Sequence, residues 1–201
     1  HEHLYLGILN ATPDSFSDGG RYVESGAAFA HGAELVRQGA RMLDLGAEST
    51  RPGAAVVPEN EEWSRLEPLL ALFRGKLPDL PLSVDTRRAF VAERALDAGA
   101  VVLNDVTGFR DPAMLRLAQE RDCGLIAMRS RLDGDQLSMP PYDGAGETTA
   151  ERALAELREV RDRLLAAGID QERILLDPGF GFGTTFREDL ALWEALPELP
   201  T

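Results

Sequence analysis

Six short apolar runs, nearly all followed by a polar residue and each by a stretch of helical periodicity, constrain this chain more than any other feature. The runs occupy 4–9, 42–45, 81–84, 101–103, 124–128 and 173–176. They are rich in Val, Leu and Ile and too short for helices, so they read as strands. The spacing predicts helices over 25–38, 61–76, 89–98, 111–121, 149–167 and 186–196. In the first, Ala27, Phe29, Ala33 and Val36 recur at helical spacing, Ser25 is a candidate N-cap and Gly39 a stop; Gly168 follows the fifth. Asp111-Pro112 opens the fourth as a cap followed by proline. A long polar loop is expected over 129–146. Alternation of this kind predicts βα units and a parallel sheet buried on both faces.

Two α/β architectures compete. An open doubly wound sheet concentrates its ligand chemistry at one switch point. Here polar residues stand at nearly every strand end: Asn10, Glu48 to Arg51, Asp85, Asn104 and Asp177. Convergence of many strand ends is the property of a barrel. A full eight-unit barrel typically takes about 250 residues, whereas this chain has 201 and supplies about six units. No shift in composition marks a linker, so 1–201 is expected to be a single domain of (β/α)8 TIM-barrel type, incomplete at its C-terminal end.

Charge narrows the partners. A net charge of −13 argues against nucleic acid and against anionic membrane surfaces. The single cysteine, Cys123, leaves no internal disulfide and fits a reducing cytoplasm. No run approaches the ~18 apolar residues of a membrane span. The opening His1-Glu2-His3 has no basic segment leading into an apolar one, as a signal peptide would, and it lacks an initiating Met, which suggests trimming at that end.

Asp85, Asn104 and Asp177 each directly follow an apolar strand. Two carboxylates and an amide at equivalent positions suit a flat ligand with a row of N–H donors, such as a guanidine-like ring edge. Any one of them alone is equally well explained as a cap on the next loop or helix; three in series favour the ligand. The loop Asp177-Pro178-Gly179-Phe180-Gly181-Phe182-Gly183 allows close backbone approach to a ligand, or is a tight turn. In Glu48-Ser49-Thr50-Arg51-Pro52-Gly53, Arg51 is placed to grip a phosphate in a bidentate contact, though an exposed loop arginine is the simpler account.

Taken together, 9–20 (Leu-Asn-Ala-Thr-Pro-Asp-Ser-Phe-Ser-Asp-Gly-Gly), 46–53, 83–86, 104–106 and 176–183 resemble the motifs of the dihydropteroate synthase family, in order along the whole chain. The resemblance implies a (β/α)8 barrel that joins 6-hydroxymethyl-7,8-dihydropterin diphosphate to 4-aminobenzoate and releases diphosphate. It assigns Asp85, Asn104 and Asp177 to the pterin, with Val106 beside them and Met128 packing on the ring. It assigns Asn10 to Mg²⁺ on the diphosphate, and Thr50 and Arg51 to the second loop near that diphosphate. Phe16, Ser49, Pro52 and Phe182 fall around the aminobenzoate, and Asp18 in a first loop that closes with the second. It also implies a homodimer through late helices that are partly missing here. Two relatives of the same pocket remain as alternatives: a pterin-binding pseudoenzyme, and a methyltetrahydrofolate corrinoid methyltransferase, against which the first two motifs argue.

The chain departs from the family in two places. Met128-Arg129 stands where the family has Met-His. The seventh strand with its Ser-Arg-Lys segment and the eighth with Arg-x-His are not in the sequence. An incomplete barrel exposes strand edges, so a chain ending here is expected to be unstable, self-associating or inactive. Elsewhere, His31 is expected at the surface or in packing, and Trp63 and Trp193 in packing. Three histidines without cysteine partners make zinc a poor fit. Asp44, inside an apolar strand, is either a partner for the site or a satisfied core acid. The run 59–62 is expected to be a solvated helix start suited to the helix dipole.

Overall fold

A computed structural model describes residues 3–11, 21–48, 56–133, 136–138, 149–182 and 184–198. The chain divides into two compact units, His1–Asn104 and Asp105–Thr201.

The first unit alternates β1 (Leu6–Asn10), α1 (Arg21–Arg37), β2 (Met42–Gly46), α2 (Glu59–Lys76), β3 (Leu82–Asp85), α3 (Ala89–Asp97) and β4 (Val102–Asp105), the last residue of β4 opening the second unit. The four strands are parallel and pair in chain order. Side chains alternate between faces along a strand, and the register sorts them sharply. Leu9, Leu45, Val84 and Leu103 form one row and Leu43 and Leu82 another, none more than 1% exposed. Leu66, Leu69, Leu70 and Phe73 of α2 and Val91 and Ala95 of α3 complete this core. Each large apolar side chain buried there contributes roughly 1.5–3 kcal/mol.

The opposite face is not the apolar layer that alternation led us to expect. It carries Asn10, Gly46, Asp85 and Asn104 in one row and Ile8, Asp44, Ser83 and Val102 in the next, and Ile8 is 64% exposed. Strands of four or five residues with polar alternate positions leave too little apolar area to make a second core.

The helix ends follow the sequence closely, with one exception. α1 begins at Arg21, so Ser25 lies inside the helix and is buried rather than capping it. Gly39 ends α1 with its N–H on Val36 O, and Gly168 ends the fifth helix with its N–H on Leu165 O.

In the second unit come α4 (Pro112–Glu120), β5 (Gly124–Met128), β6 (Arg131–Asp133), β7 (Gln136–Ser138), α5 (Thr149–Ala166), β8 (Ile174–Asp177) and α6 (Phe186–Ala195). β5 and β8 are parallel, with Met128 opposite Asp177. Asp111 caps α4, its Oδ1 accepting from the N–H groups of Ala113 and Met114. The polar loop expected after β5 contains instead a short antiparallel hairpin, β6–β7. Its Arg-Leu-Asp and Gln-Leu-Ser segments alternate with period two, which backbone pairing can use even in a polar stretch. α5 and α6 share a small core of Ala153, Leu154 and Leu192. Trp193 departs from its expected packing role: it is 64% exposed, its ring 6.0 Å from that of Phe180. It lies one position from the face that Leu192 buries, so the helix turns it outward.

Candidate active site

Parallel pairing brings four strand ends of the first unit level. Asn10 lies opposite Gly46, Gly46 opposite Asp85, and Asp85 opposite Asn104. Strand periodicity then points all four to the same face. Gly46 matters because a Cβ there would stand 3.1 Å from Asn10 Oδ1 and 3.4 Å from Asp85 Oδ2. Its missing side chain keeps open a space bordered by two oxygen donors.

One row below, two residues back along β2, Asp44 answers the question left by the sequence. Its Oδ2 accepts 2.8 Å from Asn104 Nδ2, so this buried acid is a partner of a candidate site residue. Thr86 fixes the same strand end from the backbone, its N–H reaching Asn104 O at 2.9 Å.

Behind the ends of β2 and β3 lies an ion cluster. Arg88 donates to both oxygens of Glu48, at 2.9 and 3.0 Å, and to Glu62 at 2.6 Å; Arg87 reaches Glu48 at 3.4 Å. Glu48 Oε1 also accepts from Val57 N–H at 3.0 Å, and Arg65 donates to Ala47 O at 2.9 Å. Burial alone would raise the Glu48 carboxyl, but the Arg88 hydrogen bond, the Val57 N–H and the charges of Arg88 and Arg87 outweigh it and hold it below its ordinary range. Glu62 goes the other way: burial raises it, in spite of its bonds to Thr86 and Arg88. The acidic helix start expected to be solvated therefore holds one residue that is 1% exposed. Glu62 is drawn in because Arg88 supplies its counter-charge from the β3–α3 connection.

In the second unit the strand ends are fixed differently. Asp105 Oδ1 accepts from Thr107 N–H and Oγ1, both at 2.7 Å, and Oδ2 from Phe109 N–H at 2.9 Å. Burial pushes its carboxyl above the ordinary range. The turn it organises holds Gly108 at φ 66° and Phe109 at φ 58°. At Gly108 a Cβ would come within 2.7 Å of Met128 O, so only glycine fits both the conformation and the approach. Arg163 donates to Gly108 O. Val106, in this turn, is 7% exposed.

Asp177 Oδ1 accepts from Gly179 N–H at 2.8 Å, and Phe182 N–H bonds Gly179 O at 3.2 Å, which shapes the glycine-rich loop. Met128 is buried against that loop, its Sδ 3.3 Å from where a Gly179 Cβ would stand. Arg129, the residue that departs from the family pattern, is 1% exposed; its Nε reaches Pro178 O at 2.7 Å and its NH1 reaches Glu156 at 3.1 Å. It braces the loop that follows Asp177.

Thus Asn10, Asp85 and Asn104 are brought together in the first unit, and Met128, Asp177 and Phe182 belong to one structured corner of the second. Phe16, Asp18, Ser49, Thr50, Arg51 and Pro52 lie outside the described residues. Sequence reasoning assigned no role to Arg88, Asp105 or Arg129. The available signal was a charged residue at a strand end or within three positions beyond it, which period alone does not separate from a surface charge.

The whole pattern has counterparts in known proteins. Residues 6–201 match the model of the pterin binding enzyme family. The chain belongs to that family. A dihydropteroate synthase of Bacillus subtilis is 40% identical over 194 residues, which are 96% of this chain and 64% of that protein. The solved dihydropteroate synthase of Xanthomonas albilineans with 4-aminobenzoic acid superposes with a TM-score of 0.85 at 41% identity, over 96% of this chain and 67% of that one. The enzyme of Burkholderia cenocepacia complexed with 7,8-dihydropteroate gives 0.83 at 36% identity, over 98% and 66%. The chain therefore spans about two thirds of the length of these family members. The α/β fold with parallel strands and alternating helices is that of the family's barrel enzymes.

Proposed function

We propose that this chain carries dihydropteroate synthase chemistry: condensation of 6-hydroxymethyl-7,8-dihydropterin diphosphate with 4-aminobenzoate to give 7,8-dihydropteroate and diphosphate. The observation that supports it most is the level row of Asn10, Gly46, Asp85 and Asn104, within a chain 40% identical to a dihydropteroate synthase. In this reading Asp85, Asn104 and Asp177 accept from the N–H groups of the pterin, and Val106 and Met128 provide apolar contact. Thr50 and Arg51 take the diphosphate, Phe16, Ser49, Pro52 and Phe182 surround the aminobenzoate, and Asp18 belongs to a closing loop.

The reaction needs no protein nucleophile. The methylene–oxygen bond breaks with its electron pair leaving on diphosphate, and the aniline nitrogen bonds to the methylene and gives up a proton to the departing diphosphate. Positive charge developing at the methylene spreads into the electron-rich dihydropterin ring. The carboxylates of Asp85 and Asp177 favour that charge in the transition state more than in the ground state. Exclusion of water protects the cation from capture.

Family members work with a divalent metal, and Mg²⁺ is the ion we assign here. The donors fit it: an exposed amide oxygen on Asn10 and a carboxylate oxygen on Asp85 border a space that Gly46 leaves open. Hard oxygen ligands, few from the protein and the rest from phosphate and water, are what Mg²⁺ prefers. When bound it would offset the charge of the leaving diphosphate. A cytoplasmic location and a homodimer follow from the resemblance and belong to the same proposal.

The test is incubation of the full chain with both substrates and Mg²⁺, with dihydropteroate followed by chromatography and each substrate titrated separately. Product formation is expected. Pterin binding without product would overturn the catalytic reading in favour of a binding protein.

A further inference from the structure

Asn104 makes one side-chain hydrogen bond that determines what it can offer. Its Nδ2 donates to Asp44 Oδ2 at 2.8 Å, and its Oδ1 is buried with no hydrogen-bond partner among the described residues. The orientation of the amide follows from the chemistry. The Asp44 oxygen accepts from the amide nitrogen, so the NH₂ faces Asp44 and the amide oxygen faces away. Asp44 is 4% exposed and stands in mid-strand between Leu43 and Leu45. An acid at such a position is costly unless it is bonded. It sits one step below the row of Asn10, Gly46, Asp85 and Asn104, and the Asn104 side chain reaches it past Ser83 of β3.

We propose that Asp44 is a positioning residue that locks the Asn104 amide with Oδ1 toward the ligand, so that Asp85 and Asn104 together present acceptors only. The ligand edge they recognise must then carry N–H donors. A heterocycle of the same shape with a ring acceptor at that point is rejected, because two acceptors would face each other with no proton between them. The identity of the ligand as a dihydropterin rests on the function proposed above; the orientation of the amide does not.

The experiment uses the full chain and three variants: Asp44→Asn, Asn104→Asp and the exchange Asp44→Asn/Asn104→Asp. Asp44→Asn keeps the shape of the side chain but gives position 44 a donor, so the Asn104 amide is free to turn round. Its affinity for 6-hydroxymethyl-7,8-dihydropterin diphosphate is expected to fall at least tenfold by calorimetry, with the melting temperature and the affinity for 4-aminobenzoate held. The exchange variant restores a donor facing an acceptor and returns an oxygen to the ligand side, and it should recover to within about threefold of wild type. A merely structural role for Asp44 would lower stability and both affinities together.

A second measurement needs no ligand. In side-chain amide NMR spectra the Asn104 pair, assigned by its loss in Asn104→Asp, should show one proton downfield and slow to exchange, and Asp44→Asn should abolish both properties. Unchanged Asn104 amide signals in Asp44→Asn overturn the inference. So does unchanged pterin affinity in that variant when the wild type binds pterin. Failure of the wild type to bind pterin at all would overturn the functional reading, and the amide spectra alone would then decide the role of Asp44.

Discussion

The two units hold the acids in and around their strands mainly by different kinds of partner. In the first, side chains are fixed by other side chains: Asp44 by Asn104, Glu48 and Glu62 by Arg88. In the second they are fixed on the backbone. Asp105 takes two N–H groups and a hydroxyl of its own turn, Asp177 takes Gly179 N–H, and Arg129 and Arg173 donate to carbonyls. A carboxylate satisfied by its own loop stabilises that loop. An acid and an amide paired side chain to side chain leave the remaining oxygens directed outward. The first arrangement therefore tunes recognition, and the second sets local shape.

The largest expected effect tests the ion cluster. Arg88→Leu leaves Glu48 and Glu62 without their shared partner and should lower unfolding free energy by about 3–5 kcal/mol in urea titration. Adding Glu48→Gln and Glu62→Gln should return most of that loss, since the cost is the uncompensated charge. If the triple variant is no better than the single one, the cluster acts through packing of the Arg88 stem.

Next comes the backbone brace of the second unit. Asp105→Ala strips acceptors from buried N–H groups at Thr107 and Phe109 and should cost about 2–3 kcal/mol in the same titration. Asp105→Asn, which keeps one acceptor, should cost less.

A pair of substitutions breaks the comparison directly. Asp85→Asn should weaken pterin diphosphate binding about tenfold, the worth of one charge-assisted hydrogen bond. Asp177→Asn should weaken binding and also lower stability, because Gly179 N–H loses its carboxylate acceptor. Unchanged stability of Asp177→Asn would remove the backbone brace from the second unit's side of the comparison.

The smallest effect is the pH dependence of Glu48. Its carboxyl lies below its ordinary value of 4.5 in the fold, so its contribution to stability is fully present above that value and is lost as pH falls through the lower, folded one. Glu62 has the opposite sign, its contribution being lost as pH rises through its raised value. Glu48→Gln should therefore flatten the acid limb of stability against pH below about 4.5, measured by thermal melts in steps of pH. A limb of unchanged slope would remove Glu48 as its source.

Much of the fold was legible because local signals agreed. Apolar runs of three to six residues, Gly39 and Gly168 past helix ends, and Asp111-Pro112 each have a local physical cause and appear where expected. Errors arose where a distant partner overrode the local signal. Ser25 reads as a cap but is taken into a longer α1. Glu62 reads as solvated but is buried by an arginine 26 residues away. Residues 131–138 read as loop, yet part of that stretch pairs with itself.

The sequence by itself determined the order of strands and helices, the polar residues at the strand ends and the family. A period of two tells which face of a strand a residue occupies, and motif spacing tells which strand it ends. The tertiary structure alone decided the register that makes Asn10, Gly46, Asp85 and Asn104 level, and with it the bond from Asp44 to Asn104 across β3. Register depends on how four strands pack against α2 and α3, and no run within a single strand encodes it. Which atom of Asn104 faces outward is fixed by a residue 60 positions away in the chain.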